Sequence, residues 1–150
     1  MPHLPPSMLY LLGLLLLIGC ATAASPEVEY EEGQVWRYET REGEVDSRLY
    51  IVRTDELPTG DLIYHVAVDG VAIRNPQIAG GVQTDLPHAP VGRETLDASV
   101  TELEREGAEM PDISEGYTAW REAFDAGEGG FFTVSVAEIL DFIEQAVAPR

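Results

Sequence analysis

The chain contains no lysine, and its only cysteine is Cys20. A lone cysteine forms no intrachain disulfide, and everything after it is without thiolate metal ligands or a cysteine nucleophile. The mature domain is therefore held by its core. Basic charge is scarce: 9 Lys+Arg stand against 27 Asp+Glu, a formal net charge of −18. Every one of those basic residues is arginine, and none lies between Met1 and Cys20. So acidic a surface repels nucleic acid and anionic lipid headgroups. It suits solubility, or a basic protein partner. Phosphate-binding and hydrolase signatures are missing too: the chain has no G-x-G-x-x-G, no P-loop, no G-x-S-x-G and no H-E-x-x-H.

The one long apolar run, Leu9 to Ile18, is short. Through Gly19 it reaches roughly 16 Å as a helix, whereas a bilayer core needs about 20 residues. That length fits the core of an export signal. It ends in Leu17-Ile18-Gly19-Cys20, which resembles a bacterial lipobox, where the cysteine is lipidated and becomes the new N-terminus. Ala21, not Asp, follows it, which resembles an outer-membrane destination. Ala21-Thr22-Ala23 is a competing A-x-A site, and cleavage there releases a soluble periplasmic or secreted chain beginning at Ala24. The expected organisation is a signal over residues 1–19, an acidic tether over 20–33 and one domain over 34–148. Small residues and Glu27, Glu29, Glu31 and Glu32 predict an extended, disordered tether.

Alternation of apolar and polar residues, bounded by Gly and Pro, predicts strands over 34–41, 47–54 and 61–68. Short connections make these an antiparallel meander. Asp69-Gly70 reads as a tight turn into Val71-Ala72-Ile73, a fourth short strand. The stretch 74–92 shows no periodicity, contains Pro76, Pro87 and Pro90, and reads as a long loop. Helical spacing of Leu96, Val100 and Leu103 predicts a helix over 93–106, stopped by Gly107. Asp112 and Glu115 form a capping box for a second helix, with Ile113, Tyr117, Trp120 and Phe124 on one stripe. Ser135 and Glu138 form another for a third, whose core face is Val136, Ile139, Leu140, Ile143 and Val147. The expected fold is α+β: a small antiparallel meander of three to four strands, followed by three helices packed on one face.

One constellation carries possible chemistry. His65 lies mid-strand and His88 lies in the proline-flanked segment Pro87-His88-Ala89-Pro90. With a carboxylate such as Asp61 or Asp69, the pair has the donor types for a divalent metal or for proton transfer. Three ligands at recognisable spacing are absent, and a strand histidine is more often packed and hydrogen-bonded than catalytic. No residue is assigned as catalytic and no cofactor is expected.

Gln34-Val35-Trp36-Arg37-Tyr38 with Arg41, Tyr64-His65-Val66, Pro87-His88-Ala89-Pro90, and Gly116-Tyr117 with Trp120-Arg121 resemble a family of small exported bacterial proteins. The resemblance spans roughly residues 33 to 147. It implies a shared domain and brings no activity, so no catalytic residue is carried over. The expected function is a non-enzymatic binding or accessory module in the bacterial envelope, touching the membrane only through lipid on Cys20. Two alternatives stand beside it: an immunity-type inhibitor of a basic wall-degrading effector, and a metal-dependent hydrolase using His65 and His88.

Overall fold

Alternating β-branched and aromatic residues do build antiparallel strands, and they build more sheet than the pattern predicts. A computed structural model describes residues 25–149. The leader and Cys20 lie outside the described residues. The elements are β1 (Val35–Tyr38), β2 (Arg48–Glu56), β3 (Leu62–Arg74), β4 (Val82–Val91), α1 (Arg93–Ser99), β5 (Val100–Arg105), α2 (Ser114–Asp125) and α3 (Val136–Val147). The fold is α+β. One antiparallel five-stranded sheet in the order β4-β3-β2-β1-β5 carries three helices packed against it.

Three expectations give way to pairing between distant segments. Asp69-Gly70 does not end a strand; β3 runs through it to Arg74. Gly70 sits at φ 64, and a Cβ there would stand 3.0 Å from the Ser47 Cα. The register with β4 shifts between Asp69 and Ile73, so this is an irregularity within a continuous strand. The stretch 74–92 is not a loop, because Val82–Val91 is β4 and only the turn from Asn75 to Gly81 separates it from β3. Pro87 and Pro90 hide it from a reading by pattern. They are tolerated because β4 is an edge strand, where a missing N–H need not break a ladder. The predicted helix over 93–106 stops at Ser99, and β5 follows directly. β-branched Val100 and Thr101 favour that change, and the free edge of β1 offers the hydrogen bonds.

The helices do not share one face. Tyr64, Val66 and Val68 of β3 lie in the main core with Leu96 of α1 and Ile139 and Leu140 of α3. Alternate residues of a strand point to opposite faces. His65, between Tyr64 and Val66, meets Tyr117 and Trp120 of α2 on the other side. So α1 and α3 cover one face and α2 covers its reverse. A central sheet with two apolar faces requires cover on both, and Ile63, His65 and Ala67 are as buried as the core face.

Helix α3 begins as predicted. The Ser135 side chain accepts from the Glu138 N–H, and the Glu138 carboxylate accepts from the Ser135 N–H. Helix α2 lacks that arrangement. Its N-cap is Ile113, and Asp112 accepts from the Ser114 N–H at 2.9 Å without forming a box with Glu115. Part of the expected tether also belongs to the domain. Tyr30 is buried edge-on against Trp36 and Tyr64, and its hydroxyl donates to Asp97 at 2.8 Å. A single aromatic among glutamates has no periodicity to announce it.

Candidate functional site

The β2–β3 hairpin sets the site. Leu57 N–H donates to the Asp61 carbonyl at 2.8 Å, and this closure places Asp55 opposite Ile63 and Arg53 opposite His65. On the other side, His65 pairs with Pro90 and Val66 with Ala89. Asp55, His65 and His88 therefore lie diagonally across three neighbouring strands, on the face that α2 covers.

Their side chains join in a line. His65 Nε2 stands 3.0 Å from Asp55 Oδ2, and His65 Nδ1 stands 3.0 Å from His88 Nε2. The two imidazole planes are nearly parallel, 15° apart, with centroids separated by 5.2 Å, as an edge-to-edge hydrogen bond between them requires. Asp55 also accepts from the Tyr117 hydroxyl at 2.8 Å and from Arg53 at 3.4 Å. The Arg53 guanidinium lies over the Tyr117 ring, 4.3 Å from its centroid. Trp120 caps the other side of His65, with ring centroids 4.5 Å apart.

Electrostatics assigns the protons. Burial raises the Asp55 carboxyl, but the Tyr117 hydroxyl and the Arg53 guanidinium outweigh it and hold it below the usual carboxylate range. Burial, then the neighbouring His88, pushes His65 down to about 4. Burial lowers His88 as well. At neutral pH the carboxylate is charged and both imidazoles are neutral. His65 then donates from Nε2 to Asp55 and accepts at Nδ1 from the Nε2–H of His88. This order leaves His88 Nδ1 as a bare acceptor beside Gly116 of α2. It borders a cleft of about 520 Å³ whose lining includes Pro87, Asp112 and Glu115.

The histidines that sequence reasoning singled out do meet. The carboxylates proposed with them do not join. Asp69 accepts instead from the Arg48 N–H and the Tyr50 hydroxyl, and Asp61 pairs with the Thr59 hydroxyl. Asp55 takes their place, and its signal was available. Centring the hairpin on Leu57 to Asp61 puts residues 53, 55, 63 and 65 on one face. Among the described residues, no group of three His, Cys, Asp or Glu side chains is arranged to hold a metal ion.

No family model, curated protein or solved structure matches this chain. The site therefore speaks through its own geometry. Both nitrogens of His65 are occupied and the ring is fully buried, so it cannot reach a substrate. Among the described residues no serine, threonine or cysteine side chain hydrogen-bonds to His88. The line ties β2, β3 and β4 together, and the Tyr117 hydroxyl that donates to Asp55 joins α2 to it.

Gly116 makes that approach possible. A Cβ at this position would lie 2.7 Å from the His88 Cβ, and neither atom belongs to a flexible side-chain end. Gly116→Ala is expected to cost up to about 2 kcal/mol. Overpacking costs about 1–3 kcal/mol, and a contact as close as 2.7 Å belongs at the upper end, above the roughly 1 kcal/mol that alanine adds to a helix. Urea denaturation reads the loss, and a variant as stable as the parent would show that α2 does not sit this close.

Proposed function

We propose that this chain is an exported acidic domain, lipid-anchored at Cys20, that works by binding a basic protein partner in the bacterial envelope. The charge distribution of the folded domain carries the reading. Arg37, Arg41, Arg48, Arg53, Arg93 and Arg121 are all engaged with carboxylates of the same chain. The positive charge is thus largely spent on internal pairs, and the surplus of carboxylates faces outward. Complementary charge speeds encounter and excludes wrong partners, which is what such a surface offers. A basic wall-degrading effector blocked by this domain is one partner of that chemistry. The occupied ring nitrogens of His65 favour binding over hydrolysis. No helix among the described residues is long and apolar enough to cross a membrane. A lipid on Cys20 supplies the membrane contact in this reading.

Cross-linking in intact cells, followed by identification of the cross-linked protein, tests it. The expected partner carries net positive charge, and its complex weakens steeply between low salt and about 0.5 M, where screening shortens the reach of exposed charges. Recovery of nothing at low salt, or of a strongly acidic protein, overturns the reading. Cys20→Ser is expected to move the protein from the membrane fraction to the soluble one. Mass spectrometry of the mature N-terminus distinguishes a lipidated Cys20 from a free chain beginning at Ala24.

A further inference from the structure

The segment after α2 lies beside α3 and leaves a groove of about 640 Å³ between them, lined by neither histidine. Its walls are Phe131, Phe132, Val134, Ile139 and Phe142. Phe142 is 70% exposed in the middle of α3, Val134 is 44% exposed and Phe131 37%. An exposed phenylalanine at mid-helix forgoes roughly 2 kcal/mol of burial, and among the described residues nothing covers the ring. Glu138 and Asp141 stand on the same wall, and among the described residues no cationic side chain lines the groove. They lie one turn apart on α3, with Phe142 four residues after Glu138, so carboxylates and ring present one strip. The surrounding charge stays negative. Arg41 is shared among Glu44, Asp141 and Glu144, and one positive charge against three negative ones leaves −2.

We infer that this groove receives the apolar face of a basic amphipathic helix belonging to the protein partner. The inference rests on the binding reading above and names where and how the partner docks. A helix in a groove brings apolar anchors at i, i+3 and i+4. Lys or Arg flanking those anchors one turn apart meets Glu138 and Asp141 at matching spacing. A second copy of this chain fits badly, because a two-fold contact would bring two patches of the same negative charge together. An anionic bilayer surface is repelled by the same charge.

The test uses the full chain and a labelled synthetic Leu/Lys peptide of about 18 residues, five helical turns. Fluorescence anisotropy gives its Kd. Two control peptides accompany it: one of the same composition with its apolar residues scattered round the helix, and one with Glu in place of Lys. The amphipathic Leu/Lys peptide is expected to bind at least about tenfold tighter than either control. Phe142→Ser is expected to weaken it at least about tenfold, as loss of a central aromatic anchor does. Its melting temperature should stay unchanged, because the ring is already exposed. Equal binding of the scattered peptide shows that charge alone attracts it, and equal binding of the Glu peptide removes the role of the carboxylates. Either result overturns the inference. So does a dimer in ultracentrifugation that Phe142→Ser abolishes. If cross-linking in cells captures the same basic partner with and without Phe142, the groove fails while the binding reading stands.

Discussion

Trp120→Ala is expected to lower stability by about 3–5 kcal/mol, the range for removing a large buried aromatic. Trp120 is only 9% exposed. Its ring stacks on Phe124 at 4.8 Å and meets His65 at 4.5 Å. Its Nε1–H donates to the Gly130 carbonyl at 2.7 Å, tying the turn after α2 back onto the helix. Truncation opens a cavity directly over His65, into which water can follow. The main cause of its lowered pKa is burial, so the variant predicts a second result. His65 should titrate well above about 4, moving back toward its ordinary value of 6.5. Urea denaturation and NMR titration of the imidazole read the two effects on the same sample. Trp120→Phe keeps the aromatic cover and loses the bond to Gly130, so it should cost about 1–2 kcal/mol and leave His65 low. A loss under about 1 kcal/mol in Trp120→Ala, or an unmoved His65, would show that α2 does not seal this face.

Acid should weaken the domain through the same histidine. The folded state favours neutral His65, with its pKa pushed down to about 4 from 6.5. The unfolded chain takes up the proton as pH falls through about 6.5, whereas the folded chain resists until about 4. The unfolded state therefore binds more protons across that window, and stability falls with falling pH. The contribution is complete above about pH 6.5 and gone by about pH 4. Its size is on the order of 3 kcal/mol, each pKa unit being worth about 1.4 kcal/mol. His88, lowered by burial, acts in the same direction. The other groups facing His65 are Arg53 and Asp55 from β2 and Tyr117 from α2. Among them, lowered Asp55 loses its contribution only as the pH falls further. Repulsion among surplus carboxylates works the other way, since protonating them relieves it. A comparison isolates the histidine. His65→Gln can still donate to Asp55 but has no proton to gain, so its stability should fall less between pH 6.5 and 4. Parallel pH profiles for the two proteins would refute the assignment.

The parts of the fold legible in advance were those with local causes. β1, β2 and the first half of β3 follow from period-two patterns and turn residues. Ser135, Glu138 and the apolar positions of α3 are a complete local message, and that helix starts where they place it. Within the site, His65 and His88 stood out because histidine is rare here and each lies in an apolar or proline-stiffened setting. Asp55 did not stand out. One carboxylate among 27 acidic residues carries no contrast by composition, and only the hairpin centred on Leu57 to Asp61 singles it out. The hairpin register that selects it is a property of two strands together. The helical spacing of Leu96, Val100 and Leu103 misled because the bonds that β1 offers to residues 100–105 are invisible from within that segment.

From composition alone came the negative surface, the absence of a disulfide and the need for an apolar core, since these depend on which residues are present and not on where they meet. Tertiary structure decided the rest. It made proline-bearing Val82–Val91 a strand by giving it an edge, and it sent α2 to the reverse face because a central sheet has two sides to cover. It drew Asp55, His65 and His88 into one line across β2, β3 and β4. Each outcome depends on hydrogen bonds and contacts between segments distant in the chain, and such interactions exist only once the chain has closed on itself.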